Sequence, residues 1–439
     1  MKRDEWPKAF QLANKLLNLD PDSPEVLYLM GCSLRALGFL GMALNCLSKA
    51  LSKEQKQPNL WMTYAATLHD LNRYGDAEKA FLIVHNMIPN DPMPVANIGA
   101  TYVQRGMWRD AVNWCDRALE LDPESHIAKI SKGFACLSLG RWKDAWQYHD
   151  AMYGGHLNVR VYRDPPEPAW DGTKGLTVVV QCDQGVGDQI MFSQCIPQLQ
   201  KDCKKVIIEC SDRMVRYFER NFPGVEVHGT LKDLSVSWDK DQVDAHVHIS
   251  YLGNFYRQKD SDFPRNAYIT PDRELMKKWL DWLSKFPKPW IGVSWKGGIQ
   301  ATQTHLRSIE LSDLKPALEK TGTFIDLSYM DNRQEIAEWN IENKGQIVIP
   351  PVNPKDYEDT IALLAALDEV VTVTTSVVHA CGALGRSVKV LVPEVAQWRY
   401  AYRYDAGKRM IWYPDSVTLY RQKAGEPWGH AIKRLAKDL

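Results

Sequence analysis

The sequence lacks net charge, long apolar runs and paired cysteines. Its 439 residues contain 54 Lys and Arg against 54 Asp and Glu, so no excess of positive charge is available to coat nucleic acid or an anionic membrane surface. No run of about 18 apolar residues occurs, which predicts no membrane span, and the segment MKRDEWPKAF lacks the apolar core of a signal peptide. The nine cysteines never show C-x-x-C spacing, which argues against a zinc or redox site. We therefore expect a cytoplasmic protein whose partners do not include nucleic acid.

The first third of the chain contains repeats with a period of 34 residues. Small residues recur in one series (Gly31, Ala65, Gly99, Gly133) and alanines in another (Ala9, Ala43, Ala77, Ala111, Ala145). Two such series indicate helix–turn–helix units whose helices pack closely at the small positions. The pattern resembles the tetratricopeptide repeat, with full repeats over 24–57, 58–91, 92–125 and 126–157. We therefore predict a repeat domain over residues 1–157.

Repeat arrays of this kind stack into a superhelix with a concave groove. We expect the groove to hold an acceptor protein or peptide. The alternatives are that the array is a structural brace or that it is a dimerisation surface. A dimerisation surface would make the protein a homo-oligomer.

After residue 157 the pattern changes to apolar runs that alternate with amphipathic segments. Alternation of apolar runs with helices is typical of parallel sheets. The runs are LTVVVQC, KVIIEC, VEVHG, DAHVHI, WIGVSW, TFIDLS, QIVIP, DEVVTV and VKVLVP. A charged, proline-containing segment near 258–272 divides the region, which predicts two Rossmann-like lobes over 158–270 and 271–439. The predicted fold class is therefore α + α/β: an all-α superhelix followed by two lobes whose strand ends form a cleft.

In the first lobe, the loop QCDQGVGDQI at 181–190 joins a predicted strand to a helix. Gly185 and Gly187 are expected to allow a tight turn and close approach of a ligand to the backbone. Asp188 falls at the start of the helix, where a carboxylate is either a helix cap or a catalytic group.

In the second lobe, two loops place polar and cationic side chains at strand ends. Thr375 and Ser376 lie where a β-branched strand passes into a helix, and hydroxyl and backbone N–H groups there favour an anion such as a pyrophosphate. His379 lies one turn further on, either as part of this site or as a satisfied, partly buried imidazole. The other loop supplies three cations that are expected to face diphosphate oxygens, with solvated loop charges as the alternative; they are Lys296, His305 and Arg307.

Four segments, together with the repeats, resemble bacterial and phage tetratricopeptide-repeat glycosyltransferases. They are WDGTKGLTVVVQCDQGVGDQIMFSQCIPQL, IGVSWKGG…HLRSIELSDL, DTIALLAALDEVVTVTTSVVHACGALGRSVKVLVP and WRYAYRYDAGKRMIWYP. The catalytic part is similar to heptosyltransferases and, more distantly, to the protein O-GlcNAc transferase. The resemblance implies a GT-B fold, a nucleotide-diphosphate sugar as co-substrate, and inverting transfer that needs no metal or cofactor.

The resemblance also implies roles for individual residues. Asp188 matches a general base near the acceptor hydroxyl. Lys296 and Arg307 match groups that neutralise the leaving diphosphate, and Ser376 and His379 match a phosphate-binding helix start.

Two residues bear on alternatives to this assignment. His246, in the segment DAHVHIS, is an alternative base. Thr374 departs from the family pattern, which has aspartate at this position. The leading hypothesis has a protein or peptide as acceptor, and a second has a glycan or a modified nucleobase. A third hypothesis, which the departure at Thr374 favours, is a non-catalytic repeat scaffold with a degenerate transferase region.

Overall fold

A computed structural model of the protein describes residues 5–153, 165–182, 185–231, 233, 235–298, 304–343 and 346–439, without the side chains of Lys240 and His305. The chain forms two compact units. The first comprises Met1–Leu139 with Gln147–Leu157, and the second Gly140–Trp146 with Asn158–Leu439. The predicted boundary at 157–158 lies outside the described residues, and the division into three domains stays a prediction.

The first unit is an array of helices that alternate in pairs. Its helices are α1 (Trp6–Leu19), α2 (Pro24–Ala36), α3 (Leu40–Lys53), α4 (Pro58–Asp70), α5 (Tyr74–Met87), α6 (Pro92–Gln104), α7 (Trp108–Leu121) and α8 (His126–Ser138). Two five-residue helices follow, α9 (Trp142–Trp146) in the second unit and α10 (His149–Tyr153) in the first. The helices that open the pairs begin at 24, 58, 92 and 126, which confirms the predicted period. The last repeat departs from the pattern because two short helices replace its second helix.

The small residues of the repeats lie where neighbouring helices touch. A Cβ atom added to Gly31 of α2 would lie 2.6 Å from Leu47 Cγ of α3, and one added to Gly99 would lie 2.6 Å from Cys115 Sγ. Ala43 and Ala77 are completely buried. Because core side chains are close-packed, these contacts leave no space for larger residues.

The close contact at Gly31 predicts a difference between two glycines of the same repeat. We expect Gly31→Ala to lower the free energy of unfolding by about 1–3 kcal/mol relative to Gly41→Ala, because the added methyl group overpacks the interface with Leu47. Gly41 of α3 has open space around its Cα, so the same substitution there is the matched control. Thermal and urea unfolding of both variants measure the difference, and equal stabilities would contradict the packing described.

The second unit contains two parallel sheets. Sheet A and its helices comprise β1 (Thr177–Gln181), α11 (Val186–Ser193), α12 (Ile196–Asp202), β2 (Lys205–Cys210), α13 (Asp212–Asn221), β3 (Glu226–Gly229), β4 (Ala245–His248) and α14 (Leu252–Tyr256). Its strand order is β3-β2-β1-β4. Val179 of β1 lies between Ile207 of β2 and His246 of β4, so the strands run in parallel and their carboxyl ends share one edge.

Sheet B has six strands. The sheet and its helices comprise α15 (Arg273–Leu283), β5 (Trp290–Ser294), α16 (Thr304–Arg307), α17 (Lys315–Leu318), β6 (Thr323–Asp326), α18 (Arg333–Glu342), β7 (Gln346–Val348), α19 (Tyr357–Ala366), β8 (Glu369–Val373), α20 (Ser376–Leu384), β9 (Val388–Val392), α21 (Trp398–Ala401), β10 (Val417–Arg421) and α22 (Trp428–Lys437). The order is β10-β9-β8-β5-β6-β7. Every residue of β5 and β9 is buried, as expected for strands covered on both faces. The sequence pattern predicts all of these strands except β10.

The tryptophans of the second unit mostly serve its core. Trp279, Trp295 and Trp412 are completely buried, and Trp398 is nearly so. In the described part of the chain, none of the helices combines the length and the apolar character needed to cross a lipid bilayer.

Candidate functional site

The turn after β1 brings α11 of sheet A against α20 of sheet B. Gly185 precedes the first residue of α11 with an ordinary φ of −61° and open space around its Cα, so nothing at this position requires a glycine. A Cβ atom on Gly187 would lie 3.0 Å from His379 Cδ2 and 3.3 Å from Ser376 Cα. The close approach expected of Gly187 is therefore made to protein. Asp183 and Gln184 of the same loop lie outside the described residues.

Asp188 is the third residue of α11 and does not cap it, because the cap position belongs to Gly185. Its Oδ1 atom accepts hydrogen bonds from Nε and Nη2 of Arg399, both at 2.5 Å. The two side chains are 16% and 15% exposed, and the guanidinium of Arg399 lies 4.7 Å from the centre of the Trp398 ring. This charge-assisted pair joins the first turn of α11 to α21, in the part of the chain that follows β9.

The start of α20 lies at the carboxyl end of β8. Thr375 precedes the helix, and its hydroxyl lies 3.1 Å from that of Thr372 and caps no backbone N–H. Ser376 is the first helical residue. Arg307 donates from Nε to Thr374 Oγ1 at 3.1 Å and from Nη2 to the Thr374 carbonyl oxygen. A cation is thus held directly beside the amino end of the helix, which carries partial positive charge itself.

The loop after β5 approaches the same helix start through a glycine. A Cβ atom on Gly297 would lie 3.0 Å from Thr375 Cγ2 and 3.3 Å from the Arg307 carbonyl oxygen. Lys296 forms an ion pair with Glu335 of α18, and the Trp295 indole N–H donates to the same carboxylate. The Lys296 charge is therefore compensated within the protein. The side chain of His305 lies outside the described residues.

The imidazole of His379 lies between two tyrosine hydroxyls. Tyr400 Oη is 3.2 Å from Nε2, and Tyr413 Oη is 3.4 Å from Nδ1. A neutral imidazole donates from one ring nitrogen and accepts at the other, so one of these tyrosines accepts a hydrogen bond from the ring and the other donates one to it.

His379 is held neutral by its surroundings. It is 3% exposed, and burial, with Arg399 and Arg307 adding to the effect, lowers its pKa from 6.5 to about 3. Burial also lowers the pKa of Arg307 and raises that of Tyr400. Both ring nitrogens of His379 have hydrogen-bond partners inside the protein. The imidazole therefore helps to hold the Tyr400 side chain in place and does not itself face solvent.

His246 lies away from this arrangement. It is in the middle of the edge strand β4, opposite Val179, and its Nδ1 atom donates to the Glu167 carbonyl oxygen at 2.7 Å. The strand ends two residues further on, at His248. Its role as an alternative base stays a prediction.

The structure thus brings six of the predicted residues together at the start of α20: Gly187, Asp188, Arg307, Thr375, Ser376 and His379. Sequence reasoning missed Arg399, which pairs with Asp188, and Tyr400, which contacts His379. Both belong to the segment WRYAYRYDAGKRMIWYP, whose tyrosines and arginines were the available signal. Among the described residues, no group of three or more His, Cys, Asp or Glu side chains is placed to hold a metal ion.

One comparison with known proteins covers nearly the whole chain, and three others cover about a third of it or less. A family model described as "Anaphase-promoting complex, cyclosome, subunit 3" matches residues 2–84. FlbA of Caulobacter vibrioides is 25% identical over 450 aligned residues, which cover 95% of this chain and 73% of FlbA. The human cell division cycle protein 16 homolog is 25% identical over 139 residues, 31% of this chain and 22% of that protein's length. The crystal structure of MamA, at 17% identity and a TM-score of 0.31, covers 34% of this chain and 87% of MamA.

The helix pairs of the first unit, with their period of 34 residues, form a tetratricopeptide-like repeat array. Each repeat is a helix pair that buries its small residues against its neighbours, and arrays built in this way are scaffolds that bind other proteins.

The neutral state of His379 predicts how stability depends on pH. The unfolded chain takes up a proton near the ordinary pKa of 6.5, whereas the folded protein resists protonation down to about pH 3. Stability should therefore be complete above pH 6.5 and fall as the pH drops through the window below it, because the unfolded state binds more protons there.

We expect His379→Gln to lower the midpoint of thermal unfolding at pH 7.5, since the bonds to Tyr400 and Tyr413 are lost, and to flatten its decline between pH 7.5 and 5. The exposed His430→Gln serves as the control and should keep the slope of the parent protein. The same slope in all three proteins would contradict a buried, neutral imidazole.

Proposed function

We propose that this protein is a repeat scaffold that binds a protein through its helical array and binds the diphosphate of a nucleotide sugar in its second unit. One observation carries the second part: two arginines lie near the start of α20. Arg307 is bonded to Thr374, and Arg399 pairs with Asp188, which follows the glycine that packs on Ser376. Asp188 contributes one negative charge to the same place, so these three groups leave one positive charge in excess. Positive charge at a helix start is suited to phosphate oxygens.

The strand orders support a nucleotide site at this location. Counted from its first strand, sheet B has the order 3-2-1-4-5-6 and sheet A the order 3-2-1-4. Sheets with this order bind nucleotides where the strand order reverses, outside the carboxyl ends. In sheet B that point lies between β5 and β8, which are followed by Lys296 and by Thr374. We accordingly propose two Rossmann-like lobes in a GT-B arrangement.

Thr374 acquires a specific meaning in this proposal. Its hydroxyl and carbonyl oxygen accept hydrogen bonds from Arg307, and neither carries a full negative charge. An aspartate in this position would pair with the guanidinium and compensate it. Threonine instead holds Arg307 in place while its charge stays available for an anion.

Transfer of the sugar is the finer part of the proposal. The acceptor hydroxyl gives its proton to the Asp188 carboxylate while its oxygen forms a bond to the anomeric carbon. The bond from that carbon to the diphosphate breaks at the same time, and its electron pair leaves with the diphosphate, which Arg307 and the start of α20 stabilise. Attack opposite the leaving group inverts the anomeric centre. The negative charge of the leaving group is met by protein cations, so no metal is included in the proposal.

A non-catalytic scaffold is the second candidate, and a specific observation favours it. Asp188 and Lys296, the two groups assigned to proton transfer and charge neutralisation, are engaged by Arg399 and Glu335 respectively. A protein of this kind would bind the nucleotide sugar, or no nucleotide, and serve through its repeats.

Calorimetry against nucleoside diphosphates and their sugar conjugates distinguishes these functions. We expect one diphosphate to bind, and Arg307→Gln to weaken it about tenfold or more, since a hydrogen bond to a charged group contributes about 1.5–3 kcal/mol. Arg265→Gln, a substitution of an exposed arginine paired with Asp415, is the matched control. Absence of binding to every compound would refute the nucleotide site and leave the scaffold.

The transfer step has its own test. We expect the protein to release free sugar and nucleoside diphosphate from the bound donor in the absence of acceptor. Asp188→Asn should slow turnover by about 10²–10⁴-fold, the usual contribution of a general base, without abolishing donor binding. Binding without any turnover in the parent protein would establish the non-catalytic candidate.

A further inference from the structure

Asp188 and Arg399 form a pair that is separated by 211 positions in the sequence. The pair uses a single carboxylate oxygen: both Nε and Nη2 of Arg399 donate to Oδ1, and neither contact uses Oδ2. Its position is fixed on both sides, because Gly187 packs on Ser376 and His379 and because Tyr400, the next residue after Arg399, is bonded to His379.

The pair also determines which part of the Asp188 carboxylate is open. The guanidinium of Arg399, at 2.5 Å, occupies Oδ1, so an acceptor hydroxyl cannot donate to that oxygen while the pair is intact. A group that competes for the guanidinium would therefore open Oδ1 to the acceptor.

A diphosphate bound beside Arg307 is suited to do so. Arg307 is bonded to Thr374, two residues before the start of α20. Gly187, the neighbour of Asp188, packs on Ser376 and His379 in the first turn of the same helix. An anion that reaches Arg307 at the start of α20 therefore also comes near the pair of Asp188 and Arg399. A diphosphate carries more negative charge than one carboxylate, and its oxygens match the planar donor edge of a guanidinium. The Trp398 ring beneath Arg399 gives the guanidinium a flat surface to pack on in either position.

We propose that Arg399 is shared between two anions: the carboxylate of Asp188, which it holds in this structure, and the donor diphosphate, to which it turns when the donor binds. Donor binding thereby releases the carboxylate of Asp188 for the acceptor hydroxyl. This inference rests on the proposed diphosphate site, and it assigns Arg399 as a ligand of the diphosphate and as the positioning residue that couples donor binding to the base.

The exchange makes an unusual prediction for binding of inorganic pyrophosphate, which serves as the probe. Asp188→Asn removes an anion that competes for Arg399, so this variant should bind pyrophosphate about tenfold more tightly than the parent protein does. Arg399→Gln should bind it about tenfold more weakly. In the double variant, Asp188→Asn should bring no further gain, because the group it releases is missing.

Calorimetry of the four proteins at one salt concentration measures this coupling, and thermal unfolding checks that each is folded. Arg399→Lys, which retains the charge, is a second route should Arg399→Gln fail to fold, and it should preserve part of the gain from Asp188→Asn. If Asp188→Asn tightens binding equally with and without Arg399, the gain is a general electrostatic effect and the exchange is refuted. Unchanged or weaker binding in Asp188→Asn also refutes it. If no variant binds pyrophosphate, the diphosphate site itself fails, and the exchange fails with it.

Discussion

The packing of Gly187 against the first turn of α20 is the contact on which the rest of the candidate site depends. It leaves no space for a side chain at position 187, since a Cβ atom would lie 3.0 Å from His379 and 3.3 Å from Ser376. Because α11 and α20 approach so closely, Asp188 reaches Arg399. Gly297 makes a similar approach to Thr375 from the end of β5, so the start of α20 is enclosed by backbone from both sheets.

Around this contact the protein combines buried neutral groups with partly buried cations. The chain of hydrogen bonds from Tyr400 through His379 to Tyr413 is uncharged, and both ring nitrogens of His379 are satisfied. Arg307 loses hydrogen bonds to water on burial, and the hydroxyl and carbonyl oxygens of Thr374 replace some of them without neutralising its charge. A preorganised positive region results, although the chain as a whole carries 54 positive and 54 negative residues. The zero net charge argues against binding to an anionic surface over a wide area, but it does not bear on a small anion that binds at one place.

The repeat array follows a different constraint, the close approach of paired helices. Small residues every 34 positions set the distance between helices, as at Gly31 and Leu47, and the pattern holds as long as each pair has a similar neighbour. In the last repeat the pattern ends. Trp142 and Trp146 of α9 donate their indole N–H groups to Asp260 and to the Arg257 carbonyl oxygen, which are residues of the second unit.

Prediction from sequence succeeded where the signal is local. The period of the repeats, nine of the ten strands in the described residues and the turns that precede α11 and α20 are all properties of short segments, because helices and strands impose their own spacing on apolar residues. The residue types at the strand ends also placed Asp188, Arg307 and Ser376 at the predicted cleft between the two sets of strand ends. β10 escaped detection because its short run, VTLYR, is buried only in part and follows an irregular segment.

The sequence by itself therefore determined the helices and strands and the strand ends at which polar side chains lie. Only the tertiary structure decided which of those side chains pair with one another. Asp188 meets Arg399, Lys296 meets Glu335, and His379 is enclosed by two tyrosines. The physical reason is that an ion pair or a buried hydrogen bond depends on a few ångströms between atoms that the chain brings together from distant positions. The spacing of residues along the sequence does not determine such distances, so these pairs could not be predicted from it.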